Sequence, residues 1–389
     1  MRRAASLLPP RSVLLKLAIA WGVVGAFYFG LHGLLGPDMS VSLALGLFAL
    51  LFATILMAAF GAVHEADELA HSLGEPYGTL ILTTSIVLIE VVLIAAVMLG
   101  PGASATVGRD TVFAVMMIIM NLVTGLCLLA GALRYGEQEY NAPGALSFVA
   151  VILVFVGITF LLPNALSAGD GAFTPAQAVL VAGLILAAYL GFLLLQTGRY
   201  RSDYVQPETG MMHVLLRDAR RREAGAGDKT GSDARGERRQ GNLGHAITLM
   251  ALILPIVLLA HDLAIIIDYG VARAGAPAAL GGVLIAIIVF TPESVAAIRA
   301  ALDDQTQRAV NLCLGAFVST VGLTVPAVLV VGLVTGNAVV LGISPAETVL
   351  LALTLGLTAL TYVGHRTSAT QGMLHLMLYA VFGVVLFAE

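Results

Sequence analysis

Two glutamates stand where the rest of the chain is written for hydrocarbon. Glu90 lies in IVLIEVVLIAA, residues 86–96, with ten apolar neighbours and no second polar side chain. Glu293 lies in IAIIVFTPESVAA, directly after Pro292. A charged side chain at the bilayer centre costs about 2.5–3.5 kcal/mol on insertion scales, and such residues face a bundle interior or a water-filled cavity. A low dielectric favours the neutral acid, whereas a neighbouring cation favours the carboxylate. Proton and metal ion therefore compete for the same pair of oxygens. Two such groups together can neutralise a divalent ion, or alternate between two protons and one cation.

A hard cation needs more oxygens than two carboxyls supply, about 6–8 for Ca²⁺. Thr83 precedes Glu90 by seven residues and shares its helix face. Pro292 cannot donate to the carbonyl of Ile288, which leaves that oxygen free. Asn121 and Thr124 follow Glu90 on the next apolar segment, and Ser319, Thr320 and Thr324 follow Glu293 in the same way. Each of these small polar residues is equally suited to hydrogen bonding between helices.

Other chemistry-bearing groups are less pointed. His64, Glu68 and His71 in HEADELAH fall on one helical face at i, i+4 and i+7. The segment lacks the His-Glu-x-x-His of a zinc protease, so a solvated juxtamembrane turn is the plain reading and ion capture or regulation the sharper one. His261 and Asp262 read as an interfacial pair, Asp303, Asp304 and Arg308 as a solvated connection, and Glu347 as a helix start. Cys127 and Cys313 lie in separate apolar runs, which indicates neither a disulfide framework nor a thiolate metal site.

These residues must be positioned by membrane-spanning helices. Of 389 residues 59% are hydrophobic and 11% charged, against about 25% charged in soluble domains. A net charge of -4 offers no basic excess for nucleic acid. Windows of about 20 apolar residues occur at 13–34, 41–63, 79–99, 112–132, 145–163, 176–197, 245–267, 279–300, 310–335, 346–363 and 370–388. No alternating barrel pattern is present. The first window is too long for a signal h-region and is kept as a span. The expectation is an all-α polytopic membrane protein of about eleven transmembrane helices. With the N-terminus inside, eighteen Lys and Arg fall on the cytoplasmic side and only Arg109 and Arg273 on the other. Segment 198–243, with ten basic and seven acidic residues among Gly and Ser, reads as a flexible cytoplasmic linker.

The two halves repeat a pattern. One copy begins GEPYGTLILTTSIVLIEVV at Gly74, the other GAPAALGGVLIAIIVFTPESV at Gly275. Both run from Gly-x-Pro into an apolar helix with a deep acidic residue, then a polar connection with Arg, then a helix with small polar residues. In the counted topology the helices of Glu90 and Glu293 cross in opposite directions, so the repeat is inverted. Inverted repeats around a midplane site are how secondary transporters alternate access.

Here a family resemblance enters. The blocks ADELAHSLGEPYGTLILTTSIVLIE, FTPESVAAIRAALDDQTQRAVNL and GAFVSTVGLTVP resemble the bacterial ChaA-type antiporters of the calcium/cation antiporter superfamily, from about residue 60 to the C-terminus. The resemblance implies ten core helices in two inverted five-helix repeats plus an extra N-terminal helix. The corresponding divisions are 1–35 for the extra helix, 36–197 for the first repeat, 198–243 for the linker and 244–389 for the second. It implies export of Ca²⁺, Na⁺ or K⁺ in exchange for H⁺ across a bacterial inner membrane, and assigns Glu90 and Glu293 to the cation or proton, with Asn121 and Ser319 as the polar site residues beside them. Calcium/proton exchangers carry Gly-Asn-Ala-x-Glu in both repeats, where this chain reads Ile-Val-Leu-Ile-Glu and Phe-Thr-Pro-Glu.

The expectation is a cation/proton antiporter whose partners are inorganic cations, protons and the lipid bilayer, with no cofactor. A passive channel is the alternative, and would need a continuous polar lining that the sequence does not present. An enzyme would need a nucleophile, paired Asp or metal motif, and no phosphate-binding loop for ATP drive occurs.

Overall fold

The computed structural model describes residues 11–36, 39–73, 77–99, 104–166, 170–205, 233–277, 279–364 and 366–388; the side chains at 70, 71, 73, 77–84, 86 and 233–241 lie outside that description. The described chain is helical throughout. We number the long helices α1 (Arg11–Phe29), α2 (Val41–Leu73), α3 (Tyr77–Met98), α4 (Val107–Tyr135), α5 (Ala142–Ala165), α6 (Pro175–Thr197), α7 (Asp233–Ala274), α8 (Ala279–Leu302), α9 (Thr306–Thr335), α10 (Pro345–Val363) and α11 (Ala369–Leu386). Ten of them contain, among the described residues, an 18-residue window apolar enough to cross a membrane, and α3, an equally apolar helix of 22 residues, carries Glu90.

Helix starts follow local chemistry. Thr174, Ser344 and Ser368 cap α6, α10 and α11, and Gln177, Glu347 and Gln371 return the bond in full capping boxes. These satisfy backbone N–H groups that a helix end otherwise leaves unpaired. Glu347 is thus the helix-start residue the sequence suggested. Three expectations shift. The first span ends at Phe29 and gives way to a tight turn at Leu31–Leu34, among Gly30, Gly33 and Gly36. The second continues as helix to Leu73, so His64 and Glu68 stand on a helical extension and not a turn. The helix α7 begins at Asp233, inside the segment read as a flexible linker.

Burial separates scaffold from periphery. The most apolar window of α4 is 83% buried, that of α1 only 17%; α4 is the central helix and α1 lies on the outside. It is tied there by Trp21, whose indole N–H donates to the Ala251 carbonyl on α7 (3.1 Å). Large apolar side chains such as Leu180, Leu194, Val334, Leu360 and Val384 point outward, as a surface facing lipid requires.

The two halves grip each other in a reciprocal way. At one end of the bundle the loop between α4 and α5 meets the loop between α10 and α11: Glu139 pairs with Arg366, and Thr367 N–H donates to the Gln138 carbonyl (3.0 Å). At the opposite end the loop between α5 and α6 meets the loop between α9 and α10: Ala172 pairs with Val340, and Leu341 N–H donates to the Gly171 carbonyl (2.9 Å). Exchanging α2–α6 with α7–α11 turns one junction into the other, at the other end. That is the signature of two inverted five-helix repeats. Both sets of contacts saturate loop backbone groups that would otherwise be unpaired near the membrane.

The central helix is held by a close crossing with α11. A Cβ on Gly372 would sit 2.8 Å from the Leu129 amide nitrogen and 2.9 Å from the Gly125 carbonyl, both backbone atoms that cannot move aside. Small residues at such crossings let helix backbones approach. Gly372→Ala is expected to lower the melting temperature of the purified protein by the equivalent of about 1–3 kcal/mol of overpacking, whereas Gly183→Ala, which meets open space, should leave it unchanged in the same differential scanning fluorimetry.

Candidate functional site

Glu90 is fully buried on α3. Its Oε2 accepts a hydrogen bond from the Thr320 hydroxyl on α9 (2.8 Å), and its Oε1 has no partner among the described residues. Thr324, one turn further along α9, faces the same carboxyl, and its own hydroxyl is likewise unpartnered. Glu293 is buried on α8 within electrostatic reach of Glu90, and its Oε2 has no partner either. The hydroxyls that bracket Glu293 are spent on their own helix: Thr291 donates to the Ile287 carbonyl (2.5 Å) and Ser294 to the Phe290 carbonyl (2.6 Å). Pro292 removes the backbone donor that would have bonded the Ile288 carbonyl. Two carboxyls from helices of opposite direction thus share one buried region, each with an oxygen to spare.

The helix after each glutamate departs from α geometry. Residues Ile118–Val123 of α4 and Thr320–Thr324 of α9 form π-helical turns, as do Gly157–Leu161 of α5. A π-turn shifts the hydrogen-bond register and re-aims side chains, and such turns concentrate at functional sites. Thr320 is the first residue of its π-turn and is aimed at Glu90 by it.

Asn121 sits in the corresponding turn of α4, and both ends of its amide are engaged elsewhere. Its Nδ2 donates to Thr354 Oγ1 on α10 (2.9 Å), and its Oδ1 lies 3.1 Å from Nδ1 of His375 on α11, whose Nε2 lies 3.2 Å from Thr361 Oγ1. Ser319 is similarly satisfied, donating to the Gly315 carbonyl (2.8 Å) and accepting from the Tyr189 hydroxyl (3.2 Å). Among the small polar residues singled out, Thr320 touches a glutamate, while Asn121 and Ser319 anchor networks of their own. The side chains of Thr83 and His71 lie outside the description.

At the bundle ends the pairing differs from a reading by adjacency. His64 and Glu68 are exposed. Their buried neighbour Glu65 instead pairs with His245 of α7 (2.7 Å). Asp262 pairs not with His261 but with His32 of the turn after α1 (2.6 Å), since consecutive side chains diverge around a helix. Among the described residues no group of three or more His, Cys, Asp and Glu stands ready to hold a metal. Two small cavities lie toward opposite ends of the core. One, of about 50 Å³, is bordered by Arg109, Asp110 and Glu347, with Arg109 bridging Asp110 (2.7 Å) and the Gly342 carbonyl (3.0 Å). The other, of about 10 Å³, is bordered by Thr124, Gln138, Thr306 and both cysteines.

With this geometry in place, comparison defines the class. Residues 43–198 and 244–388 match the family model described as sodium/calcium exchanger protein, and the gap between the matched segments coincides with the polar segment between the halves. The chain belongs to this family of cation exchangers, within the calcium/cation antiporter superfamily. Sodium-potassium/proton antiporter ChaA of Escherichia coli (strain K12) is 33% identical over 352 residues, 90% of each chain. The structure of native YfkE superimposes with a TM-score of 0.70 at 15% identity, covering 96% of this chain and 100% of that one. The structure of the H⁺/Ca²⁺ exchanger CAX gives 0.61 at 13% identity, covering 95% and 86%. These structural likenesses show the fold.

The networks around Asn121 and Ser319 differ in what their loss leaves behind. Asn121→Leu takes the amide partner from Thr354 Oγ1, which keeps only a long contact to Met117 Sδ (3.8 Å), and from His375 Nδ1, while His375 Nε2 keeps Thr361; each buried polar atom so deprived costs about 1–3 kcal/mol. Tyr189→Phe removes a single bond to Ser319, whose hydroxyl still donates to Gly315, and should cost about 0.5–1.5 kcal/mol. Thermal unfolding in detergent should rank Asn121→Leu as clearly the more damaging of the two.

Proposed function

We propose that this protein is a secondary active antiporter that moves Ca²⁺ and/or Na⁺ or K⁺ in exchange for H⁺ by alternating access, with Glu90 and Glu293 holding either cation or proton. The observation that carries the reading is the pair of buried carboxyls on oppositely directed helices, each with one oxygen lacking a hydrogen-bond partner among the described residues. An unpaired carboxylate oxygen in a dry interior is costly. Either a proton or a cation relieves that cost, and only one of them at a time can occupy the same lone pairs. The exchange of one for the other is antiport.

The Thr320 hydroxyl and the proline-freed carbonyl of Ile288 are further oxygens for a hard ion, with Thr324 one turn beyond Thr320 and Thr83 seven residues before Glu90 in sequence. Asn121, within a π-turn, and Ser319, directly before one, join the coordination when their amide and hydroxyl are released from their present partners. The names of the relatives support this chemistry: proton exchange against sodium and potassium for one, and against calcium for another. The bias of Lys and Arg argues for a cytoplasmic N-terminus in a bacterial inner membrane. His64, Glu68 and His71, beside the α2 to α3 connection, are suited to collecting cations at that face.

The test is proton flux in everted membrane vesicles pulsed separately with Na⁺, K⁺ and Ca²⁺. Glu90→Gln and Glu293→Gln, which keep shape and lose the exchangeable charge, are each expected to abolish exchange while the protein still inserts. Full flux in both variants would overturn the assignment of the site. Cation movement that leaves the proton gradient untouched would mark a passive channel instead.

A further inference from the structure

Cys127 and Cys313 are the chain's only two cysteines. They come from different repeats, Cys127 from α4 and Cys313 from α9, yet they border the same small cavity and their side chains are within reach of each other. Both are buried, at 5% and 3% exposure. Cys313 also stands within electrostatic reach of Glu293. The cavity has room for about one water-sized occupant of about 10 Å³, the lower limit for holding one. Thr306, 4% exposed, borders it with a hydroxyl that has no partner among the described residues. An apolar void has no use for such a hydroxyl, whereas an occupied one satisfies it.

We propose that Cys127 and Cys313 form a two-coordinate site for a soft, thiophilic metal ion, and that an ion captured there halts transport by tying α4 of one repeat to α9 of the other. Soft thiolate ligands select soft metals, in contrast to the hard cations held by carboxyl oxygens. With HgCl₂ the balance is simple: two S–H and two Hg–Cl bonds break, two Hg–S bonds form, two protons and two chloride ions leave to solvent, and no oxidation state changes. The product carries no net charge, which suits a site walled by Leu128, Ala301, Ala309 and Val310. Neutral HgCl₂ can reach it through the bilayer. Thr306 supplies a weak third contact from its free hydroxyl.

The transport part rests on the proposed antiport, so the test reads binding separately from flux. The purified full-length protein is treated with HgCl₂ in molar excess over the chain, challenged with excess 2-mercaptoethanol, and desalted; mercury per chain is then measured by elemental mass spectrometry. A site with two thiols holds the ion against a monothiol, so the wild type is expected to retain one Hg²⁺ per chain and Cys127→Ser or Cys313→Ser to lose it. Equal retention by the single variants and the wild type, or two ions per wild-type chain, would overturn the paired site. In everted vesicles HgCl₂ is expected to stop cation-driven proton flux in the wild type, reversibly with dithiothreitol, and to spare the double Ser variant. One retained ion with undiminished flux would overturn the blocking role. Vesicles with no flux even before mercury would count against the antiporter reading, while the retention measurement would still decide the thiol pair.

Discussion

A carboxylate in hydrocarbon is tolerated only if something else in the fold answers its charge, and this bundle contains two of them in one region. Several kcal/mol of desolvation stand behind each, more than any single hydrogen bond returns. Thr320 answers one oxygen of Glu90; the remaining oxygen, and one on Glu293, have no partner among the described residues. The rest of the architecture keeps that region dry and central. The central helix α4 is buried along most of its length to line it. The Gly372 and Gly125 crossing holds α11 against α4, and the loop junctions at the two ends tie one repeat to the other.

Much of this was legible in the sequence, because hydrocarbon imposes simple rules. Apolar windows of about 20 residues marked the spans, and their ends agree with the helices to within a few residues except where α1 stops early at Phe29 and where helices outrun the apolar windows. The helix α2 reaches Leu73 and α7 starts at Asp233. Such extensions have a helix-forming but polar composition, and hydropathy is blind to them. Glu90 and Glu293 stood out because a charge among apolar residues has a known cost. The inverted pattern was visible because the same order of Gly, Pro, acid, Arg and small polar residues recurs in both halves.

What stayed hidden depends on contacts between elements. The amide of Asn121 looks free in sequence, yet its partners Thr354 and His375 lie more than two hundred residues away. His375 is a lone histidine in an apolar helix, a signal that names no partner. The π-turns at Ile118–Val123 and Thr320–Thr324 have no composition of their own, since Val, Ile, Leu and Thr serve α and π geometry alike. Asp262 was assigned to its chain neighbour His261, although helix rotation separates adjacent side chains and brings His32 instead. The cysteines illustrate the same limit. Spaced far apart in two apolar runs, they suggested nothing, and only the pairing of α4 with α9 puts them around one cavity.

Inversion relates the helices but not the side chains they carry, and the difference has consequences. Glu90 meets hydroxyls, with Thr320 bonded and Thr324 close by. Glu293 follows a proline, its flanking Thr291 and Ser294 are turned back onto their own helix, and a sulfur atom stands nearby. A symmetric scaffold can present the same pair of acids to either end of the bundle by exchanging the roles of its halves. An unsymmetric lining then makes the two acids unequal hosts. On the antiport reading, the hydroxyl-lined side is the better seat for a hard cation, because Thr320 and Thr324 add neutral oxygens beside the carboxylate. Glu293, whose flanking hydroxyls are spent on their own helix, is offered few such oxygens, so a proton settles its charge with less reorganisation. Backbone symmetry would then govern which end is open, and the side chains would govern what is carried.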